Sequence, residues 1–155
     1  MDTPIEIIRV DPMGKVGGLV FPYLIQRVHD FIVEEAVVEA DPVIFTRQVA
    51  ARVWANDDTL LLLAALTPDG ELVGHALCEM RDGGGRKFLY VLQCKVDRPQ
   101  TDTIKKMIQL GEAYARARGG TCIKMETTRT DKAWTQEYGF KTFMHLMVRK
   151  FEGVE

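Results

Sequence analysis

Few residues in this chain could do chemistry, and one absence is decisive. There is no serine among the 155 residues, so a serine nucleophile and the hydrolases built on it are excluded. The three cysteines, Cys78, Cys94 and Cys122, lack the paired short spacings of a zinc ribbon or disulfide framework. All three fall inside predicted strands, with no base spaced to activate a thiolate, and are expected to be buried small hydrophobes. His29, His75 and His145 lie on separate elements and are expected to be structural. Gly83-Gly84-Gly85 is not followed by a helix opening on Lys-Ser or Lys-Thr, so it reads as a hairpin tip rather than a phosphate loop. Lys105 and Lys106 stand in the first turns of a predicted helix, where cations oppose the dipole unless an anion is present. They read either as a solvated face or as phosphate ligands.

The bulk properties narrow the class. Twenty basic residues face 22 acidic ones, and a net charge of −2 argues against a basic nucleic-acid domain. With 46% hydrophobic residues the chain is expected to form one domain over residues 1–155. No apolar run is long enough for a membrane span, and the first ten residues carry acids rather than a signal pattern. The expectation is a soluble protein of a reducing compartment, with no nucleic-acid, membrane or metal partner.

Ile5–Val10 alternates weakly and predicts a strand, followed by a loop through Gly17-Gly18. Leu24, Ile25, Val28, Ile32, Ala36 and Val37 recur at helical spacing within a predicted helix over 22–40. Asp41-Pro42 opens a second helix that ends near Asn56-Asp57-Asp58, since aspartate caps and proline fits the first position. Leu60–Leu66, Glu71–Met80 and Arg86–Asp97 read as three strands joined by Thr67-Pro68-Asp69-Gly70 and a tip at 82–85. A helix capped by Thr101 or Thr103 carries Ile104, Met107, Ile108, Gly111, Tyr114 and Ala115 on one face and ends at Gly119-Gly120. Thr121–Thr127 is then a strand, Thr130 or Asp131 caps a short helix through Trp134, and Phe140–Phe151 is a last strand. Trp54 and Trp134 are expected to pack. The order β-α-α-β-β-β-α-β-α-β predicts an α/β (mixed α+β) architecture of about six strands with helices on both faces.

This order resembles the GNAT superfamily of N-acetyltransferases over nearly the whole chain. The most telling stretch runs from the meander ending in Val96, through the helix closed by Ala117-Arg118-Gly119, to Tyr138-Gly139-Phe140 and a strand ending in Arg149-Lys150. The resemblance implies a cleft where two parallel strands splay, with acetyl-CoA as co-substrate and an amine as acceptor. Its pantetheine arm would pair with the backbone of Gln93, Cys94, Lys95 and Val96. Its pyrophosphate would meet the start of the next helix, where free N–H groups and the dipole favour anions. The family's loop pattern falls on Gln100-Thr101-Asp102-Thr103-Ile104-Lys105. Gln100 fits the first position. Thr103 and Lys105 stand where glycine or alanine belong, and Asp102 adds a negative charge. A tyrosine that protonates the leaving thiolate in many members is replaced by Thr135, a far weaker acid. Glu126 is the best-placed general base, with Glu79 second. The resemblance implies N-acetyl transfer in the cytoplasm. The departures point instead to a silent GNAT-like protein that binds protein partners, for example a phage virion or assembly component.

Overall fold

The computed structural model describes residues 4–35, 37, 40–97, 101–126, 137–141 and 149. The chain divides into two compact units, residues 1–125 and 126–155. The first unit is a five-stranded sheet in the order β1-β2-β3-β4-β5, comprising Glu6–Arg9, Leu60–Leu66, Leu72–Gly83, Arg86–Val96 and Gly120–Met125. β1 to β4 form an antiparallel meander, and β5 joins β4 in parallel. Three helices accompany the sheet: α1 (Lys15–Glu34), α2 (Pro42–Trp54) and α3 (Thr101–Ala117).

β2, Leu-Leu-Leu-Leu-Ala-Ala-Leu, is buried at every position because the sheet is covered on both faces. Leu60, Leu62, Ala64 and Leu66 share a core with Leu24 and Val28 of α1 and Val49 of α2. Leu61, Leu63 and Ala65 share the opposite core with Met107, Tyr114 and Ala115 of α3. The period-two alternation thus divides one strand between two apolar layers.

α1 begins at Lys15, so Gly17 and Gly18 are helical rather than part of the predicted loop. A Cβ on Gly17 would lie 2.0 Å from the Asp11 carbonyl oxygen. The glycine that reads as a loop signal is there to let the helix pack against the chain that enters it. Pro22 lies inside the helix, which gives up one backbone bond there. The helix stops at Glu34, short of the expected Ala40. α2 opens as expected, with the Asp41 carboxylate accepting from the N–H groups of Val43 and Ile44.

The β3–β4 turn is tighter than the expected four-residue tip. Gly84 and Gly85 have φ of +65° and +85°, so the strands pair up to Gly83 and Arg86. In the second unit, Glu126, residues 137–141 and Arg149 are described, and Gly139 adopts φ of +75°. The expected helix through Trp134 and most of the strand Phe140–Phe151 lie outside the described residues. Among the described residues no helix is long and apolar enough to cross a membrane.

Candidate active site

The feature that could receive a ligand is built by β4. Its register against β3 slips between Leu77 and Cys78: Leu77 faces Gln93 while Cys78 faces Val91, leaving Leu92 as an extra residue. This is a β-bulge, which bends a strand and increases its twist. Among the described residues, the parallel pairing of β5 runs from Lys87↔Gly120 to Val91↔Met125. Among the described residues, the bulge directly follows the last of these pairs. Beyond Val91, no described strand pairs with the β5-side edge of β4.

The bulge alters which side chains face which layer. Leu92 packs against the α1 core and Gln93 bonds to α1, so two consecutive residues share one face. Val91, Cys94 and Val96 pack against the α3 core. The Gln93 side chain is buried at 3% exposure. It donates to the Val28 carbonyl at 3.1 Å and accepts from His75 Nε2 at 2.8 Å. The Lys95 ammonium pairs with Glu34. The side chains of segment 93–96 are thus engaged with the two cores and with α1.

The start of α3 is less open. Thr103 is 2% exposed and Ile104 is buried, while Asp102 and Lys105 are exposed. Lys106, also exposed, donates to the Ile5 carbonyl at 3.2 Å, just before β1. Gln100 and Thr135 lie outside the described residues. Glu126 is exposed and directly follows Met125.

Glu79, the second carboxylate considered as a base, is held in an ion-pair cluster. Its two oxygens meet Arg52 at 2.9 Å and Arg81 at 2.6 Å. Burial alone would raise its pKa, but the two guanidinium groups outweigh burial and the net shift is downward. A carboxylate so stabilised is a weak proton acceptor. Arg52 also binds Asp57 at 2.7 Å, and Asp57, bonded to Thr59 and Arg52, is lowered to about 2. This cluster ties α2 to the sheet.

Cys78 is buried as expected, and burial pushes its thiol up. Cys122, by contrast, is exposed, because Ile123 takes the core-facing position of β5. His75 is a structural residue of the core, at 1% exposure. Trp54 packs edge-to-face on Phe21 at 5.7 Å, yet remains 53% exposed. A groove of about 650 Å³ lies at the opposite edge of the sheet, between β1 and α3, lined by Ile5, Ile7, Pro68 and Leu110. It is apart from the β4–β5 divergence.

Neither the bulge nor the polar anchoring of Gln93 was foreseen. Gln93 was legible as an amide inside an otherwise apolar strand, but nothing in the run Val91-Leu92-Gln93 marks an inserted residue.

No family model and no curated protein matches the chain. Solved structures do. A predicted acetyltransferase from Clostridium acetobutylicum, solved with acetyl-CoA, superposes with a TM-score of 0.71 at 12% identity, over 95% of this chain and 96% of that one. The glucosamine-6-phosphate N-acetyltransferase from Arabidopsis thaliana gives 0.66 at 11% identity, over 96% and 99%. An aminoglycoside acetyltransferase from an uncultured soil metagenomic sample, solved with sisomicin, gives 0.61 at 13% identity, over 95% and 97%. The chain has the fold of the GNAT acetyltransferases, and the resemblance seen in the order of its elements holds in three dimensions.

Proposed function

We propose that the chain is an acyl-CoA-dependent N-acyltransferase that moves an acetyl group to an amine. The observation that carries this reading is the Leu92 bulge, which among the described residues directly follows the last β4–β5 pair. It turns the edge of β4 away from β3 where the resemblance implies that an extended polar arm pairs. Backbone amides suit a pantetheine arm, which is itself a chain of amides, so the residues present fit that part of the co-substrate. The site's fit to a pyrophosphate is weaker, since Thr103 is turned inward, although Lys105 and Lys106 are both exposed cations.

Bound acetyl-CoA would supply an activated thioester. The residues of the chain then have three tasks. Backbone N–H groups of β4 past the bulge hold the arm and polarise the carbonyl. Glu126 takes the proton from the attacking amine as the C–N bond forms. By sequence position Thr135 replaces the tyrosine acid of the family it resembles, so the departing thiolate would leave with little help as the C–S bond breaks.

The test is calorimetric titration with acetyl-CoA, followed by thiol release in the presence of a panel of amines. Saturable binding with turnover is expected. The Glu126→Gln variant should keep the affinity and lose about 10²-fold in turnover. An unaltered rate would remove Glu126 from the mechanism. The substitutions at Thr103, Lys105 and Thr135 favour a second reading, a silent member acting through protein partners in an assembly such as a virion. Binding without turnover on any amine, or no binding, supports it.

A further inference from the structure

Among the described residues, β1 is an edge strand of the sheet and pairs with β2 alone. Which of its main-chain groups face outward follows from the ladder. The Val10 N–H donates to the Leu62 carbonyl at 2.9 Å, so these two residues form a hydrogen-bonded pair. In an antiparallel ladder, bonded and non-bonded pairs alternate. With Ile8 opposite Ala64 and Glu6 opposite Leu66, residues 6, 8 and 10 bond to β2. The N–H and C=O groups of Ile5, Ile7 and Arg9 therefore point away from the sheet. The Ile5 carbonyl agrees, since it accepts from Lys106 of α3 at 3.2 Å. Among the described residues, nothing pairs with the outward main-chain groups of Ile7 and Arg9.

The side chains along this edge are apolar and incompletely covered. Ile5 and Ile7 pack on the α3 core and Ile8 on the α1 core, yet all three are only half-buried. The groove of about 650 Å³ runs beside Ile5 and Ile7, with Lys106 and Leu110 on its α3 side. An apolar edge with unpaired ladder groups is a template for another strand.

We propose that this edge takes a second copy of the chain, β1 pairing antiparallel with the partner's β1 across a two-fold axis, with Ile8 opposite the partner's Ile8. The charges on the strand select that register. Outward residues must face outward residues, so only every second register is open. With Ile7 on the axis, the partner's Arg9 would stand against Ile5, where the Lys106 ammonium lies. With Glu6 or Arg9 on the axis, each would face its own copy. Like charges placed opposite repel. With Ile8 on the axis, Ile7 faces the partner's Arg9 and exchanges both main-chain bonds with it, and the symmetry repeats the pair. The same register sets Ile5 against the partner's Asp11. Asp11 is exposed; its Oδ1 accepts from the Met13 N–H, and among the described residues no donor meets its Oδ2. That carboxylate meets Lys106 of the facing chain at both ends of the contact, so the surface is complementary to itself, as a two-fold interface requires. The groove gives room to the partner's side chains that stand beside Ile5 and Ile7. The proposal does not depend on the acyltransferase reading.

Sedimentation equilibrium of the full chain over a concentration series, with residue-resolved amide exchange on the same samples, tests it. A concentration-dependent dimer is expected. As it forms, exchange at the Ile7 and Arg9 amides should slow about tenfold or more, while Glu6 and Ile8, already bonded to β2, change little. Ile7→Pro removes an outward N–H that β2 does not use, and should abolish the dimer. Lys106→Glu and Asp11→Lys should each weaken it about tenfold, and the double variant should recover most of the loss. The exchange comparison uses the wild type and stands even where a variant fails to fold. A wild type that stays monomeric at millimolar chain overturns the proposal, and makes Lys106 a guard of a short edge strand instead. A dimer whose Ile7 and Arg9 amides exchange as in the monomer overturns β1 as its interface. Charge reversals in folded variants that do not compensate overturn the register.

Discussion

His75 shows how one residue carries a pH signature. Burial holds its imidazole down to about 4, with Arg27 and Lys95 pushing the same way and the Gln93 bond opposing them. In the unfolded chain a histidine titrates near 6.5. Above that pH both states are neutral and the group has no effect. As the pH falls from 6.5 towards 4, the unfolded state takes up a proton that the folded state refuses. Unfolding free energy should therefore drop by about 2–3 kcal/mol over this window. Asp57, lowered to about 2, loses its contribution only below about pH 4, so the two effects separate. Urea denaturation at pH 6.5 and 4.5 measures the drop, and His75→Gln should remove most of it. A pH-independent wild type in this range would contradict the burial. Gly17 makes a second residue-scale test. Adding a methyl group 2.0 Å from the Asp11 carbonyl forces the backbone apart, so Gly17→Ala should cost about 2 kcal/mol or more. Thermal unfolding measures this, and an unchanged midpoint would show that the entry to α1 yields freely.

At the scale of the element, the proposed reading turns on the bulge in β4. Leu92 is the inserted residue, so deleting it returns β4 to a straight register with β3 and keeps Val91 and Gln93 on their present faces. The deletion should preserve the fold, at about 2 kcal/mol for the lost apolar contact, and abolish acetyl-CoA binding as β4 straightens alongside β5. Circular dichroism and titration together test it; a folded deletion variant that binds as before would remove the bulge from the account. Most elements were legible in the sequence because their signals are local. Asp41-Pro42, the turn at Pro68-Asp69-Gly70 and the Gly119 stop each act through a neighbour in the chain. The bulge was not legible, because a register slip is set by the partner strand. Gly17-Gly18 misled for a related reason: whether glycine marks a loop or a close approach depends on what lies opposite, here Asp11.

At the scale of the whole molecule, the likeness to solved acetyltransferases, at TM-scores of 0.61 to 0.71 and identities of 11 to 13% for the three compared, rests on layering and topology rather than on shared side chains. Two cores on either side of β2 hold the meander in place, and Leu77, fully buried against α1, is a central contact. Leu77→Ala should cost about 2–5 kcal/mol by denaturant titration, and a smaller loss would mean that the layers can collapse around the gap. Layering and topology follow from local signals and apolar pattern, whereas a site depends on individual contacts, which is why the candidate site was less legible than the fold. The backbone row Gln93–Val96 entered only through the family resemblance, and Gln93's burial and Lys106's bond to Ile5 come from contacts distant in the chain. The most direct test of the account is a backbone-amide NMR titration of the full chain with acetyl-CoA. Saturable shifts concentrated on Gln93–Val96 are predicted. An absence of shifts at millimolar ligand, or shifts confined to other elements, would contradict it.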